Sequence, residues 1–153
     1  MKGYKATYGG YCRDHLYEVG ETYEIWDDLK KNKLAQPQAC KLGFHFCEKL
    51  EQVFRYYSPT LDIKVFKVEA LGEVIKKSDK HVTNKILIIE EADISDFVII
   101  DKNMVSFKDI NGNPSTKEYN DEGIIIHYKS KGYEYRTKWC EVYQEWDRYE
   151  VRN

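Results

Sequence analysis

Apolar and polar residues recur with two different periods along this chain, and the switch between them sets the expected architecture. In Gly43-Phe44-His45-Phe46-Cys47 the period is two, which places Phe44 and Phe46 on one face of a strand and His45 and Cys47 on the other. From Glu48 to Tyr57 the period lengthens. Leu50, Val53, Phe54 and Tyr57 fall at i, i+3, i+4 and i+7, the stripe of an amphipathic helix. Glu48 and Glu51 suit the positive end of its dipole, and Ser58-Pro59 stops it because proline cannot continue the hydrogen-bond ladder. Phe44 and Phe46 are then expected to form the floor beneath this helix.

Residues 3–12 and 17–25 read as strands broken at Gly9-Gly10 and Gly20, and 26–42 as a polar loop. The apolar runs at 61–71, 86–89 and 97–100 suit central strands covered on both faces. The lysine-rich stretch from Lys76 to Lys85 reads as a solvated loop or a frayed helix. Beyond Met104, turns at Asn111-Gly112, Glu122-Gly123 and Lys131-Gly132 separate short apolar segments, the signature of an antiparallel meander of about four strands. Glu141 to Val151 fits either a helix with Val142, Trp146 and Tyr149 on one face, or a strand. The expected fold class is α+β: a mixed or antiparallel sheet carrying one main helix at about 48–57, followed by a C-terminal antiparallel β-meander. Residues 1–100 form the expected domain, with 101–153 packed on it as an extension or as part of one single domain.

Composition narrows the class of protein. The 153 residues suit one domain, or one with a small appendage. A net charge of -2 supplies no global field that steers a chain to nucleic acid, although local patches are compatible with it. No apolar run reaches the length of a membrane span, and the first residues lack a signal-peptide core. A cytoplasmic protein with reduced thiols at Cys12, Cys40, Cys47 and Cys140 is therefore expected.

Cys12-x-x-His15 and Cys40 with His45-x-Cys47 offer thiolate and imidazole donors of the type zinc prefers. Their spacing matches no standard zinc pattern, so they read as small, partly buried thiols and no metal site is expected. Cys47 stands just before a helix start, where a thiolate would be favoured. The C-terminal region displays Tyr128, Tyr133, Tyr135, Trp139 and Trp146, residue types enriched at the centres of interfaces and equally natural in sheet packing.

Residues 4–95 resemble an uncharacterised domain family common in phage and prophage genomes. The resemblance rests on Tyr4-Lys5, Cys12, Tyr17-Glu18-Val19-Gly20-Glu21-Thr22-Tyr23, Cys40 before Gly43-Phe44-His45-Phe46-Cys47, Tyr56-Tyr57, and Val68-Glu69-Ala70-Leu71-Gly72-Glu73-Val74. The tail from Glu118-Tyr119-Asn120 through Tyr133-Glu134-Tyr135 resembles tyrosine- and glycine-marked β-repeats that end many phage proteins. More distantly, Gly43-Phe44-His45-Phe46 before a short helix is similar to the nicotinamide-binding strand of ADP-ribosyltransferases. That similarity implies NAD as cosubstrate, with Tyr4, Lys5 and His45 around the cofactor and Glu90 or Glu91 as the carboxylate that steadies oxocarbenium-like charge. Tyr4-Lys5-Ala6 departs from the His-or-Arg-then-Gly pattern of that family.

Two functions follow as expectations. The first is a phage-type protein that needs no cofactor and binds a bacterial host macromolecule, for example to inhibit a defence system. The second is an ADP-ribosyltransferase-like enzyme with His45, Glu90 and Glu91 as catalytic residues. The second requires His45, the Lys5 strand and one of the glutamates to converge on a concave site.

Overall fold

A computed structural model describes residues 1–12, 15–25, 43–109 and 111–119, together with the backbone of 120, 123–130, 133–140 and 145–151. The expected loop at 26–42, with Cys40, lies outside the described residues. The chain divides into two compact units: Met1–Ser58 with Asp62–Ile94, and Pro59–Leu61 with Ser95–Asn153.

Among its described residues the first unit has nine strands: β1 (Lys2–Tyr8), β2 (Tyr11–Cys12), β3 (His15–Leu16), β4 (Thr22–Glu24), β5 (Phe44–Phe46), β6 (Ile63–Ala70), β7 (Val74–Lys77), β8 (Lys80–Thr83) and β9 (Lys85–Glu91). Six form one sheet in the order β3-β2-β1-β6-β9-β4, and β5-β8-β7 form another. A bridge between Tyr4 and Cys47 joins β1 to the β5 segment. The large sheet curls, because the rings of His15 on β3 and Tyr23 on β4, at its two opposite edges, lie 4.7 Å apart. The chain between β3 and β4 crosses to reach β9, where Gly20 N–H donates to the Ile88 carbonyl at 2.8 Å.

Inside the curl, alternate residues of β6 and β9 supply Phe66, Val68, Ala70, Ile86 and Ile88, and these pack with Tyr17, Phe44 and Phe46. Burying such side chains contributes about 1.5–3 kcal/mol each, so this core dominates the unit's stability.

The fold is mostly β, a curled half-barrel of sheet, and not α+β with a main helix. The expected helix over 48–57 shrinks to a single turn, α1 (Leu50–Val53). Lys49 N–H donates to the Gln52 side-chain oxygen at 3.0 Å, but the bonds that follow include i→i+3 ones, as Arg55 N–H donates to the Gln52 carbonyl and Tyr56 N–H to the Val53 carbonyl. Only Val53 of the four helical residues is buried. One turn fixes several dihedrals for few hydrogen bonds, and Ser58-Pro59 denies it the length to recover that cost. Phe44 and Phe46 belong to the half-barrel core, and Phe46 also lines a small cleft with Val53 of the turn. The lysine-rich stretch expected as a loop or frayed helix is the β7–β8 hairpin, with Ser78 at its tip at φ 53.

The second unit is an antiparallel meander in strict sequence order: β10 (Val98–Asp101), β11 (Met104–Lys108), β12 (Pro114–Asn120), β13 (Gly123–Ser130), β14 (Tyr133–Cys140) and β15 (Glu145–Val151). From Met104 on, the described residues form five strands, β11 to β15, where about four were expected with the last segment left open. The run 97–100, expected as a central strand, forms the edge strand β10, with Ile99 64% exposed. The ambiguous last segment contains a strand. Val98, Val105, Ser115 and Lys117 are buried.

Candidate functional site

Strand β5 brings His45 beside Tyr4 and Lys5 of β1. These three line a small cleft with Cys47, Val53, Tyr56, Tyr57 and Lys80. The burial of Lys5 is what the sequence did not indicate. Its side chain is only 3% exposed; its Nζ donates to the His45 carbonyl at 2.9 Å and sits 5.0 Å above the ring of Tyr17. A buried ammonium is tolerated because that carbonyl and ring face partly replace water. A lysine on the inward phase of KGYKATY was the only available sequence signal, and alternation alone does not separate such a lysine from a solvated one.

The carboxylates expected to complete an NAD site are elsewhere. Across the sheet, Tyr4 lies opposite Lys67, which lies opposite Glu90, so Glu90 stands two strands away from the cleft. Its carboxylate pairs with Lys67 at 2.9 Å on the surface, and Glu91 is exposed. Neither glutamate is among the residues that line the cleft. The enclosed space is about that of one water molecule, far below what a dinucleotide occupies.

Cys47 is buried, and burial together with nearby Asp79 pushes its thiol up to about 11. It stays protonated at neutral pH, against the expectation of a favoured thiolate, because one short turn supplies little dipole and the pocket little water. The Cys12 thiol lies 2.9 Å from the Tyr57 hydroxyl, and the His15 ring meets those of Tyr17, Tyr23 and Phe44 in tilted and edge-on contacts. Among the described residues no three His, Cys, Asp or Glu side chains gather as a metal would require.

A second network lies at the β7–β8 tip. Asp79 accepts from Arg55 at 2.5 Å and from the Tyr56 hydroxyl. These contacts hold its carboxyl below the ordinary range and push the Tyr56 hydroxyl up to about 12.

The remaining expected site is the aromatic set of the meander, whose side chains lie outside the described residues while their strand positions lie inside. Register decides how they are disposed. One row of opposed residues runs Val98, Phe107, Ser115, Tyr128, Tyr135, Glu150. The next runs Ile100, Val105, Lys117, Ile126, Thr137, Arg148. Directly opposed residues share a face, as do residues two apart on a strand. Tyr133 and Trp139 therefore lie on the Tyr135 face, and Trp146 is opposite Trp139. All five expected positions fall on one face of the meander. It is the same face whose β10–β12 positions, Val98, Val105, Ser115 and Lys117, are buried.

Among the described residues no helix is long and apolar enough to cross a membrane. No match was found among curated proteins or among solved structures. Residues 1–100 match the family described as a domain of unknown function, DUF7666, and the chain belongs to that family.

Proposed function

We propose that the protein acts by binding a macromolecular partner through the aromatic face of its C-terminal meander. The observation that carries this reading is the register: Tyr128, Tyr133, Tyr135, Trp139 and Trp146 share one face. Tyrosine and tryptophan in one patch provide large, rigid contact area and supply most interface hot spots. The expected enzyme loses support in the first unit, where the cleft residues His45 and Lys5 are two strands from Glu90. The resemblance of residues 4–95 to phage and prophage proteins makes the natural partner a bacterial host macromolecule in the cytoplasm, such as a component of a defence system.

Capture from bacterial lysate tests this, with the native chain and the Trp139→Ala and Trp146→Ala variants compared at equal loading. Each variant is expected to retain its fold by circular dichroism and to lose at least about tenfold in captured partner, the scale of a hot-spot residue. Equal capture by all three chains would place the interface elsewhere.

A further inference from the structure

The β7–β8 hairpin of the first unit carries a charge arrangement that folding does not require. Its only carboxylate is Asp79, and Arg55 and Tyr56 already hold it. Lys76, Lys77 and Lys80 form no ion pair among the described residues. Lys77 and Lys80 are direct cross-strand partners, so the two ammonium groups share one face of the hairpin. Like charges in that relation destabilise a sheet.

Lysines on an edge strand do deter unwanted strand pairing, and β7 is an edge. That role accounts for Lys76 and Lys77. It does not account for Lys80, which lies on β8, the middle strand of the three. The Lys80 ammonium sits 4.7 Å over the ring of Tyr56, and Tyr56 is 43% exposed. One face of the hairpin thus presents two cations beside a half-exposed aromatic ring.

We infer that this face binds single-stranded nucleic acid, with Lys77 and Lys80 meeting successive phosphates and a base packing against the part of the Tyr56 ring that Lys80 leaves exposed. Cations that track a backbone and an aromatic platform for bases are the two elements of sequence-tolerant single-strand binding. An acidic protein surface would use the lysines but gain nothing from the ring. With a net charge of -2 the chain has no long-range attraction for nucleic acid, so binding is local and steeply salt-dependent.

Fluorescence anisotropy of a labelled thymidine oligomer, titrated with the intact chain at low and moderate salt, tests the inference, with polyglutamate as a competing anion. The paired variant Lys77→Gln/Lys80→Gln is expected to bind about tenfold more weakly, with a log–log salt slope shallower by about one to one and a half. Removing a like-charge pair does not threaten the fold, so its melting temperature should match or exceed the native value. Tyr56→Phe, which keeps the ring, should bind like the native chain, and Tyr56→Ala should weaken binding severalfold. No oligomer binding, or equal binding by the paired variant, would overturn the inference. Polyglutamate that displaces the oligomer at equal charge concentration would assign the face to an acidic protein.

Discussion

The two units reach β-structure by opposite routes. In the half-barrel, β1 pairs with β6 from far along the chain, Thr7 and Lys64 being 57 positions apart, and the sheet order scrambles the sequence order. In the meander every strand pairs only with its sequence neighbours. The half-barrel depends on long-range closure around one core. The meander depends on its turns and on the alternation that separates its two faces. Loop-closure entropy must be met before long-range pairs form, so the first unit is the one that single substitutions at closure points should damage most.

The largest expected effect is at such a point. A Cβ on Gly3 would meet the carbonyl oxygen of Cys47 and come within 2.8 Å of Cδ2 of Phe46. Those are backbone and fully packed ring, with no freedom to yield. Gly3→Val should break the β1–β5 bridge and cost about 4 kcal/mol by urea denaturation. A loss under about 0.5 kcal/mol would mean that the bridge does not close the unit. Next comes Ile88→Ala, in the 0% exposed heart of the half-barrel, at about 3 kcal/mol on the same assay.

The meander should respond through charge and turns. Lys117 is buried, donates to the Pro59 carbonyl at 2.7 Å, and lies 5.4 Å from the Phe107 ring centre. Burial lowers its amine to about 8. Between about pH 8 and the ordinary lysine value, near 10.5, the unfolded chain holds a proton that the folded chain lacks. Stability from this group therefore rises with pH across that window, and the cost is fully present below it. Lys117→Met should gain on the native chain most at pH 7, on the order of 2 kcal/mol, with the gain shrinking towards pH 10. A constant difference between the melting curves across that range would show that Lys117 is not desolvated. The smallest effect is expected at Gly112, which holds φ +81 with open space around it. Gly112→Ala should cost about 1 kcal/mol, all of it conformational.

Legibility followed the same division. Asn111-Gly112 and the two glycine turns after it, with alternation between them, marked the C-terminal strands because hairpins are written locally. The i, i+3, i+4, i+7 spacing at 48–57 predicts a longer helix than forms, because the spacing comes without the length or tertiary cover that sustains a helix. Lys76 to Lys85 predicts a loop or frayed helix and forms a hairpin, because the lysines of the edge strand β7 conceal its period. Tyr4, Lys5 and His45, grouped only by the distant ADP-ribosyltransferase resemblance, do line one cleft. The distance to Glu90 depended on the β1-β6-β9 order, which no local pattern encodes. Burial of Lys5 depended on the carbonyl of His45, 40 residues away, and was equally invisible.

Hydrogen exchange on the intact chain, free and bound to the captured host partner, tests the central claim most directly. Partner binding through the aromatic face should slow exchange across Gly123–Ser130, Tyr133–Cys140 and Glu145–Val151 and leave the half-barrel strands Lys2–Tyr8 and Ile63–Ala70 unchanged. Protection confined to residues 1–94, with β13–β15 exchanging as in the free protein, would contradict the account.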